Sequence, residues 1–208
     1  MMKKVLSGLL VFCVLGFSVP AFAAEHPWML KKDKDGIRVS VRKVEGSAFL
    51  EYQAVVVVDT PLEEVVRLYE EKENGRMPEW FHQCKEVRLL ETRSPEDKLY
   101  YFVLWMPPPF RTRDLVYRRL RTTDPPGNVV EYKVRAMPEL FPPQHDKIRM
   151  PSADGYWRLS RHGEGKTEVY YRQHSDMGGT VPAWLVNLLA VNMPYNTLAN
   201  FRRLLMCR

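Results

Sequence analysis

The sequence predicts an α+β domain in which one antiparallel sheet packs on a single long C-terminal helix. Three observations carry this. Segments that alternate apolar and polar residues recur along most of the chain, as half-buried strands require. Short breakers part them: Pro95, the run Pro107-Pro108-Pro109, Pro125-Pro126-Gly127, Pro142-Pro143, and Gly163 with Gly165. Strands joined so briefly pair antiparallel, because a parallel pairing needs a longer crossover. The last segment, residues 181–206, reads as one helix.

Taken in order, the first strand runs from Ile37 to Val44, with Ile37, Val39 and Val41 on one side and Arg38, Ser40 and Arg42 on the other. In the next, Leu50 to Val58, one face holds Leu50, Tyr52, Ala54, Val56 and Val58, while Glu51 and Gln53 face away. A helix follows at once. Thr60 suits its cap, Pro61 its first turn, where an N–H would lack a partner anyway, and Glu63 and Glu64 the positive end of its dipole. After a loop around Met77-Pro78-Glu79-Trp80, strands are expected at Glu86–Glu91, Leu99–Trp105, Leu115–Arg121, Val129–Ala136, Tyr156–Ser160 and Thr167–His174. Leu99–Trp105 is apolar on both faces, so one meets the core and the other a ligand, a second layer or a partner.

In the final helix Val181, Trp184, Leu185, Leu188, Asn192, Tyr195 and Ala199 share a face at about 100° per residue, and that face is expected to meet the sheet. Asn192 and the Tyr195 hydroxyl interrupt its apolar stripe. Buried polar groups need partners, here neighbouring strands, a trapped water or a ligand. Pro194 removes the bond to residue 190 and bends or loosens the helix. That bend is either static or part of a lid.

The N-terminus reads as an export signal: Lys3 and Lys4, an apolar stretch from Val5 to Phe17, then Ala21-Phe22-Ala23 with small residues at the cleavage positions. Cleavage is expected after Ala23, leaving residues 24–208 as one domain in an exported space, the periplasm. The apolar stretch falls short of the roughly 20 residues that span a bilayer. Val11-Phe12 ahead of Cys13 are not the small residues of a lipobox. With Lys3 and Lys4 removed, the formal charge drops from +6 to +4, scattered along strands, which argues against nucleic acid as a partner. Cys84 and Cys207 remain, in a compartment that permits a disulfide; the spacing leaves open whether they bond.

No constellation of known catalytic spacing is present: there is no Gly-rich phosphate loop, Gly-x-Ser-x-Gly, Cys-x-x-Cys or His-Glu-x-x-His. His26, His82, His145, His162 and His174 are spread singly, without metal-ligand spacing, so neither metal nor cofactor is expected.

An ordered set of short motifs adds to this reading: Trp80; Tyr100-Tyr101; Pro107-Pro108; Arg113-Asp114-Leu115-Val116; Trp157; and Gly178-Gly179-Thr180-Val181-Pro182-Ala183-Trp184-Leu185-Val186-Asn187 leading into the last helix. Their order and spacing, from about residue 26 to the end, resemble the START domain family of lipid-transfer proteins. The resemblance implies a helix-grip fold, a curved antiparallel sheet wrapped around the C-terminal helix with an internal hydrophobic cavity. It implies as ligand a lipid or sterol-like small molecule, bound without catalysis by a monomer. The last helix and the loop from Met137 to Asp154 would act as lid, with Leu140, Phe141, Ile148 and Met150 either touching a membrane surface during exchange or covering one end of the core.

The tunnel so implied would be walled by Tyr101, Val103 and Trp105 on one strand, Leu115, Tyr117 and Arg119 on the next, and Tyr171 on the last. Trp184, Leu188, Asn192 and Tyr195 would close it from the helix. Arg119 stands where sterol-binding members of the family keep a buried arginine, and it shares a face with Leu115 and Tyr117. Their acidic partner on the preceding strand has no counterpart here, so Arg119 would meet a polar or anionic head group, or solvent. Arg113 and Asp114, being adjacent on a strand, face opposite sides and hold neighbouring segments. Two other readings stay open. One is an enzyme of the wider superfamily, cyclase-like, with Asp114, His174 or Tyr171 as acid–base groups on a hydrophobic substrate. The other is a structural partner protein with a filled core.

Overall fold

The computed structural model describes residues 26–71 and 75–207; the expected export signal, its cleavage after Ala23 and Cys13 lie outside the described residues. The alternating segments become β1 (Met29–Lys34), β2 (Ile37–Arg42) and β3 (Glu51–Val58), then, after helix α1 (Leu62–Glu70), β4 (Cys84–Thr92), β5 (Asp97–Leu104) and β6 (Arg113–Thr123). There follow β7 (Val129–Ala136), the two-residue β8 (Ile148–Arg149), β9 (Ser152–Arg161), β10 (Thr167–Asp176) and helix α2 (Ala183–Met206). The strands form one sheet in the order β1-β2-β3-β10-β9-β7-β6-β5-β4, every neighbour antiparallel, with β8 added parallel to β6. The chain's early and late strands thus meet at β3 and β10, where Tyr52 stands opposite Gln173 and Val58 opposite Thr167.

β1 was not among the expected strands, although its signal is present. Asp35 and Gly36 join it to β2 with φ of 53° and 71°, the two left-handed residues of a tight hairpin turn for which Asp-Gly is the preferred pair. β8 is two residues long and pairs only through the tertiary fold, so no periodicity announces it. The expected Thr60 cap is not made. Pro61 is the capping residue, without a side-chain bond, and Thr60 instead lies buried with its carbonyl accepting from Thr167 Oγ1 at 2.8 Å. Helix α2 starts after Pro182 and carries Pro194 within it, buried.

The core lies between the sheet and the two helices. Trp80, fully buried, packs edge-on to Phe201 of α2 at 5.0 Å and to Trp157 of β9 at 5.8 Å between ring centroids. Tyr69 of α1 stacks on Tyr132 of β7 at 4.2 Å. On β2 and β3 the expected faces hold: Ile37, Val39, Val41, Tyr52, Ala54, Val56 and Val58 are all buried.

On α2 the expected face holds in part: Leu185 is buried and Val181, Tyr195 and Ala199 pack, partly buried, against the core. Leu185, Val186, Ala190, Met193, Thr197, Leu198, Phe201 and Leu205 are buried, whereas Trp184 and Leu188 are 69% and 53% exposed and Asn192 is exposed too. The first half of α2 is apolar nearly all round, so a stripe drawn there is ambiguous. Extended beyond Ala199, the expected stripe runs into Arg202 and Arg203, while the observed one continues into Phe201 and Leu205. The second half of the helix sets the face for the whole.

Both faces of β5 are covered, as its sequence required. Tyr100, Phe102 and Leu104 enter the main core. Leu99, Tyr101 and Val103, with Val116, form a second cluster on the outer face beneath Leu90, Met137 and Phe141.

Cys84 is buried and Cys207 exposed, and both are free thiols. Burial pushes the Cys84 thiol up to about 12. A thiol reagent at pH 8 is therefore expected to label Cys207 rapidly and Cys84 only after denaturation, as read by peptide mass mapping. Phe201→Ala, which empties the aromatic junction, is expected to lower stability by about 3–5 kcal/mol in urea unfolding.

Candidate ligand-binding site

The alternation that buries one face of each strand leaves an internal cavity of about 60 Å³ between the sheet and the helices. The sheet supplies Tyr52 from β3, Phe102 and Leu104 from β5, and Leu115 and Tyr117 from β6. Val134, Trp157, Tyr171, Gln173 and Ser175 continue the wall across β7, β9 and β10. Tyr69 of α1 and Met193 of α2 close it, with Met77, Phe81, Met150 and Met177 from connecting segments. Among the described residues, no Asp, Glu, Lys, Arg or His side chain lines it.

This volume admits a few waters and falls below the ~300–1,000 Å³ of small-molecule pockets. The lipid-sized tunnel expected from the resemblance is thus a small cavity. Aromatic rings and four methionines fill the rest. Methionine is unbranched and has three rotatable side-chain bonds, so Met77, Met150, Met177 and Met193 are the wall's most adaptable part.

Of the cavity's polar side chains, Tyr69 and Tyr117 come from α1 and β6, and Tyr52, Tyr171, Gln173 and Ser175 gather on β3 and β10. The hydroxyls of Tyr52 and Tyr171 bond to each other at 2.7 Å, their rings edge-on at 5.4 Å, and Trp157 stacks on Tyr171 at 4.1 Å. Burial pushes both phenols well above the usual tyrosine range, partly offset at Tyr52 by the bond to Tyr171, so both stay neutral. Beside them Gln173 Nε2 donates to Ser175 Oγ at 2.7 Å. Gln173 pairs across the sheet with Gly155, where any Cβ would collide with its Oε1 and press on Val134. Gly155 is there for space.

Of the residues expected in the wall, Leu115, Tyr117 and Tyr171 line the cavity, and so does Met150, expected in the lid. Tyr101 and Val103 do not. They belong to the outer cluster, because β5 buries both faces and parity alone does not say which is inner. Trp105 follows the end of β5 and is 37% exposed. Trp184, Leu188 and Asn192 point away with the misjudged part of the α2 face. Tyr195 instead ties the first hairpin to the helix: its hydroxyl donates to Asp35 Oδ2 at 2.6 Å and Lys32 Nζ sits 3.7 Å over its ring.

Arg119 is fully buried on the same face as Leu115 and Tyr117 but lies beyond the cavity wall. Its guanidinium stands 5.3 Å from the Tyr132 ring and 5.7 Å from that of Tyr100. Its Nη1 is 3.8 Å from Glu70 Oε1, so the acidic partner comes from the end of α1 and not from the preceding strand. That replaces both the solvent and the head-group expectations with a charge met inside the protein. Sequence reasoning missed the rest of the wall, Tyr52, Phe102, Gln173, Met177 and Met193 among it, although the Tyr52 face was already legible on β3.

The expected lid segment is fastened to the sheet's outer face. Asp114, fully buried, accepts from Arg149 Nε at 3.1 Å and Nη2 at 2.9 Å. Arg149 also donates to the carbonyls of Pro138 and Phe141, and Phe141 packs on Tyr101 at 5.1 Å. Leu140 is 40% exposed, and Ile148 lies against Gly178 and Gly179. Arg113 turns the other way and donates to the Met177 carbonyl at 3.3 Å, holding the segment before α2. Asp114 is thus committed to Arg149 and away from the cavity. His174 also lies on the outer face, its Nε2 3.1 Å from Ser47 Oγ. Asp114→Ala would strand Arg149, and an unfolding titration is expected to show about 3–5 kcal/mol of lost stability, with faster proteolysis between residues 137 and 147.

Among known proteins, a START domain model matches residues 19–204. The chain is 32% identical over 186 residues to an uncharacterized protein of Pseudomonas aeruginosa, covering 89% of this chain and 90% of that one. It superposes on a STAR-related lipid transfer protein from Xanthomonas axonopodis with a TM-score of 0.78 and 30% identity, covering 86% of this chain and 98% of that one. A more distant likeness, for the fold alone, is to the Zhui aromatase/cyclase of a Streptomyces species: TM-score 0.52, 14% identity, 76% of this chain and 94% of that one. With its curved antiparallel sheet, its long C-terminal helix and a family match over nearly its whole length, this chain belongs to the START domain family.

Proposed function

We propose that this protein binds a lipid or sterol-like molecule without transforming it, in the cavity between sheet and α2. The observation that carries this is the wall itself: apolar and aromatic side chains, a few neutral polar groups and, among the described residues, no carboxylate, histidine or cation. Such a wall suits a water-excluded hydrocarbon, and the phenols it holds are kept protonated by burial, which makes them poor general bases. Admission of a whole lipid requires the cavity to widen. The four methionines and the segments carrying Met150 and Met177 are the parts that re-pack for it, and α2 with the 137–154 segment is the closure that opens. Leu140 and Trp184, apolar and exposed, are the side chains to meet a membrane surface during exchange. The same reading takes the N-terminus as an export signal and places the mature protein, as a monomer, in the periplasm.

The test is native mass spectrometry of protein recovered from its own compartment, followed by organic extraction. A stoichiometric, chemically unaltered lipid is the expected result. Readdition of that lipid at about 100 times its Kd should stabilise the fold by about 2.7 kcal/mol, a rise in Tm of several degrees. Recovery of an altered product after incubation would favour the cyclase-like reading, and an empty protein that binds no lipid would sink the proposal.

A further inference from the structure

Tyr52 and Tyr171 form a buried, hydrogen-bonded polar pair on the cavity. Tyr52 and Tyr171 are 4% and 1% exposed, and both line the cavity. Two phenols carry two O–H hydrogens, and the single bond between their oxygens uses one. Neither hydroxyl has a second hydrogen-bond partner among the described residues. A buried donor left unused is costly, and the space that both groups border is the cavity. We infer that the Tyr52–Tyr171 pair is the polar anchor of the ligand site, donating one hydrogen bond to an uncharged oxygen, an ester carbonyl or a hydroxyl, on an otherwise apolar ligand.

The inference rests on the lipid-binding reading and narrows it. With no cationic side chain among the described residues of the wall, burying a carboxylate or phosphate there would go uncompensated, so the enclosed part of the ligand is neutral. The burial that keeps both phenols protonated leaves the donor in place across the physiological pH range. Gly155 leaves room for the Gln173 amide opposite Tyr52, so the surroundings of the pair are polar on one side only.

The hydrogen count predicts an unusual pattern of substitutions. In Tyr52→Phe or Tyr171→Phe the surviving phenol loses its partner but keeps its hydrogen, so one donor still reaches the ligand. Only the double variant has none. Binding is read by tryptophan fluorescence, since Trp157 stacks on Tyr171, with three probes: methyl dodecanoate, dodecanoate at pH 8 and dodecane. The wild type should bind the ester about three- to tenfold more tightly than the alkane, the worth of one net hydrogen bond, and the carboxylate more weakly than the ester. Each single variant should keep the ester preference. The double variant should erase it, with dodecane affinity within about twofold of wild type and an unchanged circular dichroism spectrum. A single variant that loses the preference outright, or a double variant that keeps it, overturns the anchor. Equal binding of ester and alkane by the wild type, which needs no variant, overturns it too while leaving the lipid-binding reading standing. If none of the probes binds, both fail.

Discussion

The pairing of β3 with β10 is the constraint on which the rest depends. It joins residues more than a hundred positions apart, from Val58 opposite Thr167 to Tyr52 opposite Gln173, and turns two runs of strands into one continuous sheet. On the inner face beside that seam, α2 packs across β2 and β3. Tyr52 and Tyr171 sit on the seam, so the polar corner of the cavity comes from the same contact that completes the fold.

Around this seam the charged groups are disposed so that none enters the cavity. Arg113 and Asp114, adjacent and facing oppositely, clamp two segments at once. Arg113 takes the carbonyl of Met177 ahead of α2, and Asp114 takes Arg149 behind the 137–142 segment. Arg119, fully buried on the inner face beyond the wall, is turned toward Glu70 and two tyrosine rings. These arrangements leave a cavity whose described lining is uncharged. Methionines at the cavity margin give that interior adaptability that a wall of branched residues would lack.

Much of the fold was legible because burial imposes a period. On β2 the outer parity is polar throughout, and on β3 Glu51 and Gln53 mark it, so the inner face follows. On β5 both parities are apolar, so Tyr101 and Val103 were equally good choices until the outer layer of Phe141 and Met137 showed which side was which. Helix α2 failed in part for a related reason, since its first half is apolar nearly all round and its register is set by Phe201 and Leu205 near the far end. The β1 hairpin was announced by Asp35-Gly36 and simply passed over.

By itself the sequence determined the class of the fold, the family and the apolar character of the interior, because these follow from local alternation, breaker residues and ordered motifs. It determined that Arg113 and Asp114 serve opposite sides. Only the tertiary structure decided which residues share the cavity, that Arg119 is answered by Glu70, that Cys84 and Cys207 stay apart, and how little space the packing leaves. Those are properties of side chains distant in the chain and brought to within a few ångströms. A strand's period records that a residue is buried, not what it is buried against.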